Sequence, residues 1–303
     1  MNELLKVMTS LKQLEERKDE IDLTLDRIEE ILHTYEKKYD KKKEHEMKKI
    51  NKLMDETKTI NHIATRVEKE ITGPKTAEAG RTKEKIKKFE DQLKEVQTTL
   101  KKESFYYYDT GVEKSFERIG EVKENLQKLK ETLKKFQYYE EMFKFPESES
   151  TGCQKIIETV ETEVNWMKKL WEHIQKCQKR FDDYLDLKWS EMDINEMEDE
   201  IKKMRQGLQP IKITDRKCGA FVGISNEIKK WSIFIPLIGD LKHDSMFTPD
   251  SRHWKKVKDT LKQDFTVGDS LELSLLWNLR LYDFKDTIEE ITEIAKNEAK
   301  MEK

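Results

Sequence analysis

Apolar residues over the first forty positions recur in alternating steps of three and four: Leu4, Val7, Leu11 and Leu14, then Ile21, Leu25, Ile28, Leu32, Tyr35 and Tyr39, with Lys18 alone out of place. Such spacing is a heptad seam, the pattern of a long helix packed along a neighbour. It weakens through EKKYDKKKEHEMKK at 36–49 and resumes as Ile50, Leu53, Met54, Thr57, Ile60, Ala64, Val67 and Ile71. A single helix over 4–71 would be about 100 Å long at 1.5 Å per residue, so the pattern allows either one rod or a break near residue 40. TGPK at 72–75 reads as a stop, because glycine caps helices and proline does not continue them.

A second helix is expected from about Gly80, with Ile86, Phe89, Leu93, Val96 and Leu100 on one stripe. SFYYYDTG at 104–111 reads as a joint whose three consecutive tyrosines cannot all face one way. A third helix carries Val112, Phe116, Ile119, Leu126, Leu129, Leu133 and Phe136, and ends by FPESESTG at 145–152. A fourth carries Ile157, Val160, Val164, Met167, Trp171, Ile174 and Phe181, with Trp166 and Leu170 widening its stripe. Asp193, three residues before Glu196, is the expected N-cap of a fifth.

Composition changes after residue 206. Glycines at 207, 219 and 223 and Pro210 interrupt the helical period, so 207–223 is expected to be irregular or weakly β, with a short strand at 211–214. Ile224–Leu241 reads as a helix interrupted by Pro236. A last helix is expected to place Leu273, Leu276, Trp277, Leu281, Phe284, Ile288, Ile291 and Ala295 on one broad face. The whole is an all-α chain of antiparallel helical bundles in an elongated series, divided into 1–150 (long heptad-like helices), 151–206 (a second bundle) and 207–303.

The 303 residues are 35% hydrophobic and 40% charged, too polar for one large core and suited to thin helical assemblies with wide wet faces. A net charge of -3 gives no argument for nucleic acid. The longest apolar run, Ile233–Ile238, is far short of the roughly 20 residues that span a bilayer, so no membrane partner is expected. The N-terminus has no secretory pattern and the chain reads as intracellular. Helical pattern at both ends suggests a piece of a longer polypeptide. Cys153, Cys177 and Cys218 lack zinc or disulfide spacing and read as small apolar fillers.

Searching for chemistry returns little. GAFVGISNEIKK lacks the Lys-Ser/Thr of a phosphate loop, and His45-Glu46 is not followed by a second zinc-ligand His. His243 and His253 lie near acids and admit an acid-base pair, but no nucleophile elbow accompanies them; a satisfied imidazole at a helix start, with Pro249 and Asp250 as turn and cap, is the simpler reading of His253. The seven lysines of 37–49 are diluted by Glu36, Asp40, Glu44 and Glu46, which favours a solvated, ion-paired face over an acidic or phosphate partner. All six tryptophans fall after residue 160, which implies thicker packing or a larger interface there.

One order of motifs is more specific. NEIKKW at 226–231, PLIGDL at 236–241, Met246, RHWKKV at 252–257 and a Leu-rich helix running into YDFKDTIEEITEIAKNEAKMEK at 282–303 together resemble dynein heavy chains, where the tail passes into the linker. LWEHIQKCQKRFDDYLDLKWSEMDINEMEDEIKKM at 170–204 is similar to the helices just before it. The resemblance covers about 160–303, and its style is more axonemal than cytoplasmic; SMFTPDSRHW departs from the family pattern by Pro249.

The resemblance implies a signature of Trp231, Pro236, Leu237, Arg252, His253, Trp254 and Trp277 with structural roles and no catalytic, cofactor or metal residues. It implies that ATP and magnesium belong to a downstream ring absent from this chain, and that 207–303 begins the linker. Expected partners are dynein intermediate and light chains, another heavy chain or an assembly factor, with microtubules reached only through absent parts, in the cytoskeleton of a cilium or flagellum. The competing readings are a coiled-coil scaffold or cytoskeletal cross-linker, and a helical enzyme using His243 and His253.

Overall fold

A computed structural model describes residues 2–39, 44–209, 217–246 and 252–301. Nine α-helices are found among them: α1 Asn2–Tyr39, α2 Glu44–Leu100, α3 Val112–Phe143, α4 Thr151–Leu185, α5 Ile194–Gly207, α6 Gly219–Leu241, α7 Arg252–Leu261, α8 Leu273–Asn278 and α9 Lys285–Met301. They divide into two units: Met1–Gln97 with Gln127–Glu158, and Thr98–Leu126 with Thr159–Lys303.

The β content expected at 207–223 is corrected. The described part is helical at both ends, Gly207 closing α5 and Gly219 opening α6, and no strand occurs among the described residues. The strand expected at 211–214 lies outside them. Glycine at 207 and 219 therefore marks helix ends and not a strand. Gly207 also faces His173 of α4: a Cβ there would come within 2.4 Å of the imidazole Cε1. The one β-type pairing described is an isolated antiparallel bridge between Lys188 and Glu272.

In the first unit, α2 runs unbroken through the TGPK stop with Pro74 inside it. Proline removes a backbone donor and crowds the preceding turn, but Ile71 and Ala79 on either side of it pack with Leu4, Leu5 and Met8 of α1 and with Met142 and Phe143 of α3. Packing on both flanks carries the helix across a residue that would end an isolated one. The stripe expected further on forms a second core, in which Ile86, Phe89 and Leu93 meet Leu133 of α3 and Cys153 and Ile157 of α4. Lys144, at φ 53°, turns the chain out of α3, and the nearly buried Glu140 carboxylate accepts from the Ser150 backbone N–H at 2.7 Å and its Oγ at 2.6 Å. That carboxylate sits at the first turn of α4, where helix N–H groups favour negative charge.

In the second unit, the tyrosine joint consists of two short 3-10 turns, Ser104–Tyr106 and Tyr108–Thr110. As expected, the rings diverge: Tyr106 is buried, Tyr107 exposed and Tyr108 half-buried. The α4 indole of Trp171, fully enclosed, donates to the Phe105 carbonyl at 2.7 Å, and Tyr106 Oη donates to Glu163 at 2.6 Å. Tyr108 bonds Glu227 of α6 and receives a hydrogen bond from Gln178 of α4 at 3.1 Å. Burial pushes the thiols of Cys153 and Cys177 up, to about 11 and about 12, which leaves them protonated fillers.

Candidate functional site: an aromatic joint

Trp231 lies on α6, which carries nine buried residues, and is fully buried. Its ring stacks on Trp277 of α8 at 4.1 Å between centroids and on Phe181 of α4 at 5.2 Å. Tyr184 of α4 and Phe234 of its own helix close the remaining sides, each at 5.6 Å. Trp277 in turn meets Phe234 at 5.2 Å and Tyr282, in the 3-10 turn Leu281–Phe284, at 5.0 Å. Offset and edge-on pairs of this kind contribute about 0.5–1.5 kcal/mol each beyond area burial. Trp231 thus ties three helices, and Trp277 extends the cluster to the turn that follows α8.

A charged clamp borders the rings. Arg180 reaches Glu200 of α5 through two hydrogen bonds, 2.7 Å and 3.1 Å, while Tyr184 Oη donates to the same carboxylate. Although partial burial opposes it, the bonds from Arg180 and Tyr184 hold Glu200 below the usual carboxylate range. Asp193 caps α5 by accepting from the Glu196 N–H at 3.1 Å, as the sequence suggests.

A second cluster fixes the end of α6. Lys242 Nζ donates to the carbonyls of Trp189 and Met192 at 2.7 Å and 3.1 Å, and its partial burial lowers the ammonium pKa. Trp189 packs edge-on against the buried Trp254 of α7 at 5.8 Å, and Trp254 meets Phe265 at 6.4 Å. The chain around Trp189 is held by its N–H on Leu271 O at 2.8 Å and by Leu273 N–H on Leu187 O at 3.1 Å.

Arg252, His253 and Trp254 open α7. Arg252 is exposed and pairs with Glu298 of α9, which also takes the buried His253 Nε2 at 3.0 Å. The Arg252 bond leads in holding the Glu298 carboxylate below its usual range. Lys296 adds a second tie from α9 to α6 by way of Asp240, at 2.6 Å. Pro236 lies on the wet face of α6, whereas Leu237 beside it is almost fully buried. Pro249 and Asp250, expected to turn and cap this start, lie outside the described residues.

Five of the seven signature positions therefore fall into three groups, Trp231 with Trp277, Arg252 with His253 on one carboxylate, and Trp254 against Trp189, while Pro236 and Leu237 serve the two faces of α6. The sequence pattern places Phe181 on the α4 stripe but does not single out Tyr184, Glu200 or Glu298. These three lie in segments already noted, but nothing in a linear pattern pairs Glu298 with residues some 45 positions earlier.

His243 and His253 have separate partners. His243 Nδ1 accepts from the Ser245 N–H at 3.1 Å and meets its Oγ at 2.8 Å, a turn cap in which the serine is enclosed. His253 faces Glu298 inside a packed interface. Among the described residues no three or more His, Cys, Asp or Glu side chains gather as a metal site, and no described helix is long and apolar enough to cross a membrane.

Comparison with known proteins bears directly on this region. Residues 157–303, which contain every part of the joint, match the family described as dynein heavy chain, N-terminal region 2. The chain is homologous to the N-terminal region of axonemal dynein heavy chains. The dynein alpha chain of the flagellar outer arm of Chlamydomonas reinhardtii is 25% identical over 99% of this chain and 7% of its own length. The ciliary dynein beta chain of Heliocidaris crassispina is 23% identical over 100% of this chain and 7% of its own. Dynein axonemal heavy chain 17 of Mus musculus is 24% identical over 49% of this chain and 3% of its own. The chain thus spans a small fraction of the dyneins it matches. The dynein homology extends upstream of the joint as well, since two of these relatives align across nearly all 303 residues.

Proposed function

We propose that this chain is a non-catalytic mechanical segment of an axonemal dynein heavy chain, connecting an anchored tail to the linker of an ATP-driven, minus-end-directed microtubule motor. The observation that carries this reading is the Trp231 joint, where stacked rings bind α4, α6 and α8 into one packed block within the family-matched region. Force passes through a protein most faithfully where elements are laterally supported by close-packed interiors, which transmit strain with little compression. Buried rings, a bidentate Arg180–Glu200 clamp and cross-ties from α9 supply that support.

On this reading ATP and magnesium act in a ring outside this chain, microtubules are reached through other parts of the parent, and the segment works in a ciliary or flagellar axoneme. Intermediate chains, light chains and a second heavy chain are the partners proposed for its helical faces. The test is Trp254→Ala in the parent heavy chain. Loss of about 3–5 kcal/mol in the unfolding of this segment, with unchanged nucleotide affinity, is expected; unchanged stability with lost nucleotide binding would overturn the reading.

A further inference from the structure

The first unit leaves an apolar stripe uncovered. Ile21, Ile28 and Ile31 of α1 and Leu53, Ile60 and Ile63 of α2 are each 38% to 66% exposed, whereas isolated exposed apolar residues are ordinary and contiguous ones are not. Both triplets have the same spacing, seven residues and then three. Both also stand in the same relation to the buried seam: Ile28 follows buried Leu25 by three positions, and Leu53 follows buried Ile50 by three.

The two helices run antiparallel. Met8, near the start of α1, shares a core with Ile71 and Ala79 of α2. From Met8 to Tyr39 is about 46 Å, and from Glu44 to Ile71 about 40 Å, at 1.5 Å per residue, so the arms return over nearly equal lengths. Ile21 stands as far from the end of α1 as Ile60 and Ile63 stand from the start of α2, and Ile28 and Ile31 bracket Leu53 in the same way. The twofold relation of antiparallel helices keeps equal offsets from the seam on one side of the pair. Both stripes therefore border one groove, the shape left when one helix is missing from a three-helix coiled coil.

The charge beside the groove says what fits. Arg17 and Lys49 each stand four residues before an exposed apolar position of the groove, Ile21 and Leu53, on the same strip of helix surface. Neither has an ion pair among the described residues, whereas Glu56 on the same strip is met by Lys52 at 3.7 Å. We infer that the α1–α2 groove is a docking site for an amphipathic helix from a partner protein, with a heptad apolar seam flanked by Glu and Asp. Cations flanking a hydrophobic seam select acidic flanks on the incoming helix, as flanking charges do in coiled coils.

The test uses the full 303-residue chain and two synthetic 24-residue helical peptides with the same Leu/Ile heptad seam, one flanked by Glu and one by Lys, followed by fluorescence anisotropy. The Glu-flanked peptide is expected to bind at least tenfold more tightly, with the difference shrinking in high salt. Ile21→Asp with Ile60→Asp should abolish binding. Two charges at the groove can perturb folding, so Arg17→Glu with Lys49→Glu, both exposed, is the second arm and should reverse the preference towards the Lys-flanked peptide. Equal binding of both peptides, or of neither, overturns the inference. So does self-association of the chain that is lost in the Ile21→Asp/Ile60→Asp variant, which would assign the groove to a second copy, or binding confined to anionic lipid vesicles.

Discussion

Trp231 touches rings from α4, α6 and α8 and is fully enclosed. Truncation to Ala should cost about 3–5 kcal/mol, because neighbours held by other contacts collapse only partly into the space; urea unfolding of the isolated chain checks it. Its indole Nε1 is buried with no hydrogen-bond partner among the described residues. Trp231→Phe should therefore lose much less, since removing an unsatisfied donor offsets part of the lost area. His173 gives a pH signature. Burial lowers its pKa below the usual histidine value, with the Met204 carbonyl bond at 3.0 Å opposing the shift. A depressed folded-state histidine means the unfolded chain binds the extra proton first, so this stability is fully present above about pH 6.5 and is lost as pH falls through the folded pKa. Unfolding midpoints between pH 8 and 5 should show the loss in the parent chain and a smaller one in His173→Gln.

At the scale of elements, the helical stripe of the fourth predicted helix is legible: Ile157, Val160, Val164, Met167, Trp171, Ile174 and Phe181 are all buried on α4. Breaks were legible only where composition forces them. The Gly and Pro of TGPK signalled a stop that packing on both sides of Pro74 overrides. Conversely, the last predicted helix is divided into α8, a 3-10 turn and α9 by Arg280 in the left-handed conformation at φ 56°, with no glycine to announce it. Its guanidinium meets Asp283 at 2.9 Å and the Asp283 N–H returns to its carbonyl at 2.8 Å, local bonds that support a backbone state otherwise unfavourable for a side-chain-bearing residue. Two substitutions separate these causes. Gly223→Ala would set a Cβ 2.2 Å from Tyr108 Cγ, near the root of that side chain, and should destabilise by about 1–3 kcal/mol. Pro74→Ala removes a helix-interior proline and should raise stability, by up to about 3 kcal/mol; thermal unfolding of both variants distinguishes a tight approach from a tolerated breaker.

For the molecule as a whole, the signature was readable because its tryptophans, its Arg-His-Trp run and the Leu-rich tail occur in a fixed order, while its geometry was not. Stacking of Trp231 on Trp277 and the shared Glu298 under Arg252 and His253 join positions about 45 residues apart, which no local pattern encodes. The proposed mechanical role makes those contacts matter under load and not for nucleotide chemistry. The most direct measurement is the stall force and ATP turnover of single parent motors carrying Trp277→Ala, a half-buried position whose loss loosens the joint without emptying the core. Reduced stall force with ATP turnover unchanged is the expected result. Unchanged force, or a fall in ATP turnover equal to the fall in force, would contradict a mechanical role for the joint.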